Sequence, residues 1–162
     1  MTTTAHEVQT TQVYQVFIRA TPEQVWDAIT KPEHIERYFH GCRLDGPLAA
    51  GGRFIARSPD RSKLWIDSEI LEFEPPTRLR HAWRALYDDE LAHEAESRVT
   101  WEIEPQDDGT CLLTVVHDEL EGAPKTAASV AGAGWMHVLS GLKTLVETGA
   151  PLFDYATPEE AA

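Results

Sequence analysis

The spacing of apolar residues changes once along this chain, and that change limits the fold more than any other feature. From Cys42 to Leu120 the apolar residues tend to recur every second position, the period of a half-buried strand. From Thr126 to Glu147 they recur at helical spacing, with Trp135, Leu139, Leu142 and Val146 at offsets of four, three and four. A run of strands followed by one amphipathic helix predicts an α+β domain with the helix laid against the sheet.

The segments before the switch fit that plan. Val13 to Ala20 is dense in β-branched and aromatic residues and reads as a first strand. Thr21-Pro22-Glu23-Gln24 carries an N-cap, a proline suited to the first helical position and a capping-box glutamine. Val25, Trp26 and Ile29 put apolar bulk on one face of the short helix that follows. Pro32 to Phe39 reads as a second short helix whose end presents Tyr38 and Phe39. Strands are then expected at Arg53 to Arg57, Leu64 to Phe73, Arg78 to Leu86, Arg98 to Glu104 and Cys111 to Leu120. Asp108-Gly109 marks the last hairpin, and Tyr87 to Glu96 reads as a flexible acidic loop.

At 162 residues the chain suits one domain and buries enough surface to need no disulfide or metal. Residues 1–11 are expected to be a polar tail, 12–150 the domain, and 151–162 a second tail. The formal net charge of -13 argues against nucleic acid and anionic membranes as partners. Cys42 and Cys111 form no CxxC pair and read as small buried apolar residues. The N-terminal stretch lacks a charged n-region and an apolar h-region, and Thr126 to Gly149 is too interrupted to span a bilayer. The expected compartment is therefore the cytoplasm, with the chain a monomer or homodimer. No metal-ligand spacing, phosphate-binding loop or nucleophile elbow occurs, so no cofactor, metal or catalytic residue is expected.

Several local sequences carry a resemblance when taken in order. They are Ala20 to Ile29 with Pro32-Glu33, Gly52-Arg53-Phe54, Glu74 to Leu79 leading to Trp83, Ser97 to Trp101, Asp108-Gly109-Thr110 leading to His117, and Gly134-Trp135 leading to Leu142. Together they resemble the START and birch-pollen-allergen superfamily, in the branch named after the activator of the heat-shock-protein-90 ATPase homologue. The resemblance implies a helix-grip fold: a curved antiparallel sheet of about six to seven strands wrapped around a long C-terminal helix, with two short helices after the first strand. It also implies a cavity between sheet and helix that takes lipids, polyketides or other hydrophobic molecules.

On that frame the expected ligand-binding residues are Tyr38, Phe39, Phe54, Trp65, His81, Trp83, Trp101, His117, Trp135, Met136 and Leu139. Aromatic residues serve equally well as cavity walls and as core, so Trp83 and Trp135 can line a pocket or simply fill the interior. His81 and His117 fall on the apolar faces of their strands, where they either orient a ligand or sit as core histidines satisfied by neighbours. His40 reads as a solvated residue near the mouth. Gly132 and Gly134 weaken the start of the long helix and, with the Glu121 to Lys125 loop, are expected to form a gate.

The leading expectation is a non-enzymatic binder of a hydrophobic or aromatic small molecule, with a role in sensing, transport or stress response. A polyketide cyclase or aromatase-like enzyme is the first alternative, with Tyr14 and Glu69 joining the two histidines as inward polar groups. A co-chaperone-like interaction module is the second.

Overall fold

The computed structural model describes residues 9–155. Seven strands form a single antiparallel sheet: β1 (Gln12–Ile18), β2 (Arg43–Leu44), β3 (Arg53–Arg57), β4 (Leu64–Glu74), β5 (Arg78–Trp83), β6 (Ser97–Pro105) and β7 (Cys111–Asp118). Their spatial order is β1-β7-β6-β5-β4-β3-β2, so the first strand crosses to pair with the last and the rest is a meander. Register shifts between Ala56 and Arg57 and between Ile70 and Glu72 bend the β3–β4–β5 side. Gly109, at φ 86, makes the β6–β7 turn that Asp108-Gly109 signals.

Two helices bridge β1 and β2. Helix α1 (Pro22–Thr30) starts on the expected capping box, with Thr21 and Gln24 each accepting the other's backbone N–H. Helix α2 (Pro32–Ile35) is only one turn, and Tyr38 and Phe39 follow it in a turn instead of extending it. The strand expected to reach Leu86 stops at Trp83.

The segment expected to be a loose acidic loop is partly structured. Helix α3 (Asp89–Ala92) is capped by the Asp88 carboxylate and buries Leu91. Beyond it, Glu94 accepts from the backbone N–H groups of Lys125 and Thr126 at 2.8 Å each and from the Thr126 hydroxyl at 2.7 Å. Those donors open α4 (Pro124–Ser129), whose own N-cap residue, Ala123, has no side chain to offer.

The long C-terminal helix is broken. After α4 comes a π-helical turn, Val130–Gly134, in which Gly132 leaves helical geometry at ψ -121. Then α5 (Trp135–Thr148) runs to Gly149, whose left-handed φ of 80 closes it. Helix α5 buries Trp135, Val138, Leu139, Gly141, Leu142 and Leu145 against the sheet. Gly141 matters here, because a Cβ on it would stand 3.2 Å from the Cβ of Tyr38. After Gly149, Phe153 stacks on His137 with ring centres 3.8 Å apart.

The outer sheet face carries charge instead. Arg78, Arg80 and Arg98 form ion pairs there with Glu72, Glu102 and Asp118. Among the described residues, no helix is long and apolar enough to cross a membrane.

Candidate ligand cavity

The concave face is organised by register. Residues with inward side chains on β5, β6 and β7 line up in rows: His81 opposite Val99 opposite His117, and Leu79 opposite Trp101 opposite Val115. Trp101 therefore lies two residues along β6 from the partner of His81, the diagonal contact that long side chains span. Its indole N–H donates to His81 Nε2 at 3.0 Å. Ser97 stands in the same diagonal relation to His117, and its Oγ lies 2.8 Å from His117 Nε2.

These contacts fix the protons. His81 Nδ1 lies 2.8 Å from the carbonyl oxygen of Ala82, which can only accept, so Nδ1 carries the hydrogen and Nε2 accepts from Trp101. His117 Nδ1 faces the indole N–H of Trp135 at 3.1 Å and must accept, so Nε2 is protonated and donates to Ser97. Both imidazoles are held neutral. Burial lowers His81 to about 4, and burial followed by the field of His81 lowers His117 to about 3. A second proton on either ring would also point at an indole N–H that is itself a donor.

A cavity of about 800 Å³ opens beside this network. Its deep wall is made by Phe39, Cys42, Ile66, Trp83, Val130, Trp135 and Val138, all buried. Its mouth is made by His40, Trp65, Tyr87 and the β3–β4 turn, which contributes Pro59, Asp60, Ser62 and Lys63. Ser129 and Gly134, on either side of the helix break, also border it. Burial pushes the Cys42 thiol up to about 12, so it stays protonated and contributes only bulk. Asp60 is held in its turn by the hydroxyls of Ser58 and Ser62, each 2.7 Å away.

Of the residues expected in the site, Phe39, Trp65, Trp83 and Trp135 border this cavity. Tyr38 does not: its hydroxyl donates to the Ala28 carbonyl at 2.8 Å and the ring is buried under α1 and α5. Phe54, His81, Trp101, His117 and Leu139 are buried outside the cavity lining, in the core that supports it. Met136 is 57% exposed, because one step past Trp135 turns the helix toward solvent. Glu69 is likewise exposed, on the opposite face of β4 from Ser68 and Ile70. Tyr14 is half-buried and not itself a lining residue; its hydroxyl donates to Gln12 Oε1 at 2.7 Å and lies 3.4 Å from the carbonyl oxygen of Val130 behind the cavity wall.

Sequence reasoning did not identify the β3–β4 turn as part of the mouth. Its Ser-Pro-Asp-Arg-Ser composition reads only as a turn, and nothing local shows which loop will face α5. His40 was expected to be solvated. It is exposed, at φ 55, but its ring stacks on His137 with centres 4.6 Å apart. Desolvation of the ring by that packing, then the neighbouring His137, lowers its pKa from the ordinary histidine value. Among the described residues no group of histidines, cysteines or carboxylates could hold a metal.

A bent antiparallel sheet closed by a C-terminal helix, with a cavity between them, is the helix-grip architecture of the START and birch-pollen-allergen superfamily. The chain belongs within it to the family described as activator of Hsp90 ATPase homolog 1-like protein, whose model matches residues 19–147. No curated protein matches it. Among solved structures it is similar to DynU16, from the dynemicin biosynthetic locus, at 24% identity and a TM-score of 0.74. That match covers 92% of this chain but 51% of DynU16, so this chain spans about half the length of that relative. It is also similar to MLL2253 from Mesorhizobium loti, at 28% identity over 84% of this chain and 96% of that one, with a TM-score of 0.69. A third similar structure is PFC0360w, an HSP90 activator from Plasmodium falciparum, at 20% identity over 88% of this chain and 99% of that one, with a TM-score of 0.67.

Proposed function

We propose that this protein binds a hydrophobic or aromatic small molecule in the cavity between β3–β5 and α5, without turning it over. One observation carries the reading: about 800 Å³ of space is walled by buried aromatic and aliphatic side chains, within the size range of small-molecule sites. Burial of ligand area at about 25 cal/mol per Å² would drive binding.

The chemistry of the nearby groups favours binding over catalysis. The two deep histidines have all their ring nitrogens engaged, and the Cys42 thiol is protonated. None is free to accept a substrate proton. The cyclase-like reading, expected to draw on His81, His117, Tyr14 and Glu69, falls back on His40, since none of those four borders the cavity and His40 does. It requires that His40→Ala abolish turnover of a supplied polyketide while leaving its affinity intact. The co-chaperone reading draws on the named role of the Plasmodium relative, and a defined internal cavity weighs against it.

Titrating the protein with polyketides, flavonoids and fatty acids while following tryptophan fluorescence tests the proposal. Saturable quenching by at least one class is expected, since Trp83, Trp135 and Trp65 all border the cavity. A flat response across the whole panel would overturn it.

A further inference from the structure

The chain after α5 reads from sequence as a tail, yet residues 150–155 double back along the helix. Gly149 turns the chain at φ 80, and the Arg37 guanidinium donates to its carbonyl oxygen at 3.2 Å. His137 lies twelve residues, about 18 Å of helix, before Gly149, and Phe153 and Tyr155 retrace that length to meet it. Gly141 leaves room on the way, since a Cβ there would stand 3.6 Å from the Phe153 ring.

The strap ends at the cavity mouth. Phe153, His137 and His40 form a column of three nearly parallel rings, with centres 3.8 and 4.6 Å apart. The Tyr155 hydroxyl lies 3.2 Å from the His137 ring nitrogens. Its Cβ packs so close to Gly41 that a methyl group on that glycine would stand 2.8 Å away. The same methyl would stand 3.3 Å from Pro59 of the β3–β4 turn. His40 and Pro59 both border the cavity, whereas Phe153 and Tyr155 do not. The strap therefore holds the rim from outside, tying two turns to α5.

The turn it holds is strained. His40 and Gly41 are left-handed in succession, at φ 55 and 74. A residue with a side chain adopts that geometry at a cost, and keeps it where surrounding contacts impose it. The ring column and the packing of Tyr155 on Gly41 supply part of that constraint. Without them the turn can relax and carry His40 off the rim.

Resting on the ligand-binding reading above, we propose that residues 150–155 are a clamp on the cavity mouth, and that a ligand enters and leaves when Phe153 and Tyr155 lift from His137 and Gly41. Lifting breaks the contacts of two side chains and leaves α5 folded. Because the clamp touches the rim and not the cavity, it sets the rate of exchange and not the affinity.

Stopped-flow fluorescence with N-phenyl-1-naphthylamine, a neutral aromatic probe, tests this on the native protein, Phe153→Ala, Tyr155→Ala and Phe153→Tyr. Association and release should both rise about five- to tenfold in the alanine variants, leaving Kd within about twofold of native. Phe153→Tyr keeps the stacked ring and should restore native rates. Acrylamide quenching of the ligand-free protein gives a second readout, since Trp65, Trp83 and Trp135 border the cavity, and it should be faster in both alanine variants. Lowered urea midpoints with unchanged rates and unchanged quenching would overturn the clamp and leave the strap a stabilising contact only. A weakened Kd with native association would also overturn it, because the strap would then touch the ligand. A native protein that binds no probe counts against the ligand-binding reading, and acrylamide then decides the clamp by itself. If the alanine variants do not fold, Phe153→Leu, which keeps apolar bulk without the ring, takes their place.

Discussion

At the scale of single residues, the most consequential arrangement is two neutral histidines, each accepting an indole N–H. Their pKa values of about 4 and about 3 lie below the ordinary histidine value near 6.5. The unfolded chain therefore binds more protons than the folded one wherever the pH lies between those limits, and stability rises with pH across that window. It is fully present above about pH 6.5 and is lost as the pH falls toward 4. Each histidine contributes a slope of up to about 1.4 kcal/mol per pH unit. His40 is also lowered and acts in the same direction. The lowered carboxylates, Asp60 at about 2 and Asp118 among them, lose their contribution only at still lower pH. Urea denaturation at pH 7.0 and pH 5.0 should thus differ by about 2–4 kcal/mol, and His81→Gln should shrink that difference. A midpoint unchanged between the two pH values would show that these imidazoles are not neutral inside. Alternation along β5 and β7 was enough to place both histidines on the buried face. Their partners were not legible, because Trp101 and Ser97 reach them across strands through register, and Trp135 reaches His117 from helix α5 through packing.

At the scale of elements, the closing helix is weakest where it borders the cavity. The glycines at 132 and 134 pointed to a loose first turn, and the helix does break there. The sequence pattern could not show that the short helix preceding the break would be capped from outside, by Glu94. Burial raises the Glu94 pKa, but its hydrogen bonds to Lys125 and Thr126 outweigh that and keep it ionised. If the α4 to Gly134 segment is the gate, two substitutions should move ligand exchange in opposite directions. Gly132→Ala meets no atom within 4 Å and favours a continuous helix by about 1 kcal/mol, so release of a bound probe should slow about fivefold. Glu94→Ala removes the cap on α4, costs about 1–2 kcal/mol of stability, and should speed release. Stopped-flow displacement measures both rates. Equal rates in the two variants and the native protein would mean that exchange uses the β3–β4 turn instead. That turn was missed in the sequence because a mouth is made by segments distant in the chain. Only the strand order, which carries β3 and β4 to the side opposite β1, brings residues 58–63 near α5.

At the scale of the whole molecule, the charge decides which ligands arrive easily. A net charge of -13 surrounds a mouth that carries one lysine and one aspartate, so the local charges nearly cancel and the global field dominates at low salt. The field extends about 30 Å at 10 mM salt and about 3 Å at 1 M. A neutral aromatic probe should therefore associate at a rate nearly independent of ionic strength. An anionic one, such as anilinonaphthalene sulfonate, should associate several times faster at high salt than at low, because screening removes the repulsion. Fatty acids, ionised at neutral pH, face the same barrier. They face a second one inside, where the deep wall holds no cation to meet a carboxylate. Lys63→Glu should steepen the salt dependence of the anion without changing that of the neutral probe. Stopped-flow association across a salt series reads all four cases. An anion slowed by added salt would mean that Lys63 governs entry over the charge of the whole chain, and the preference for neutral ligands would then have to come from the cavity wall alone.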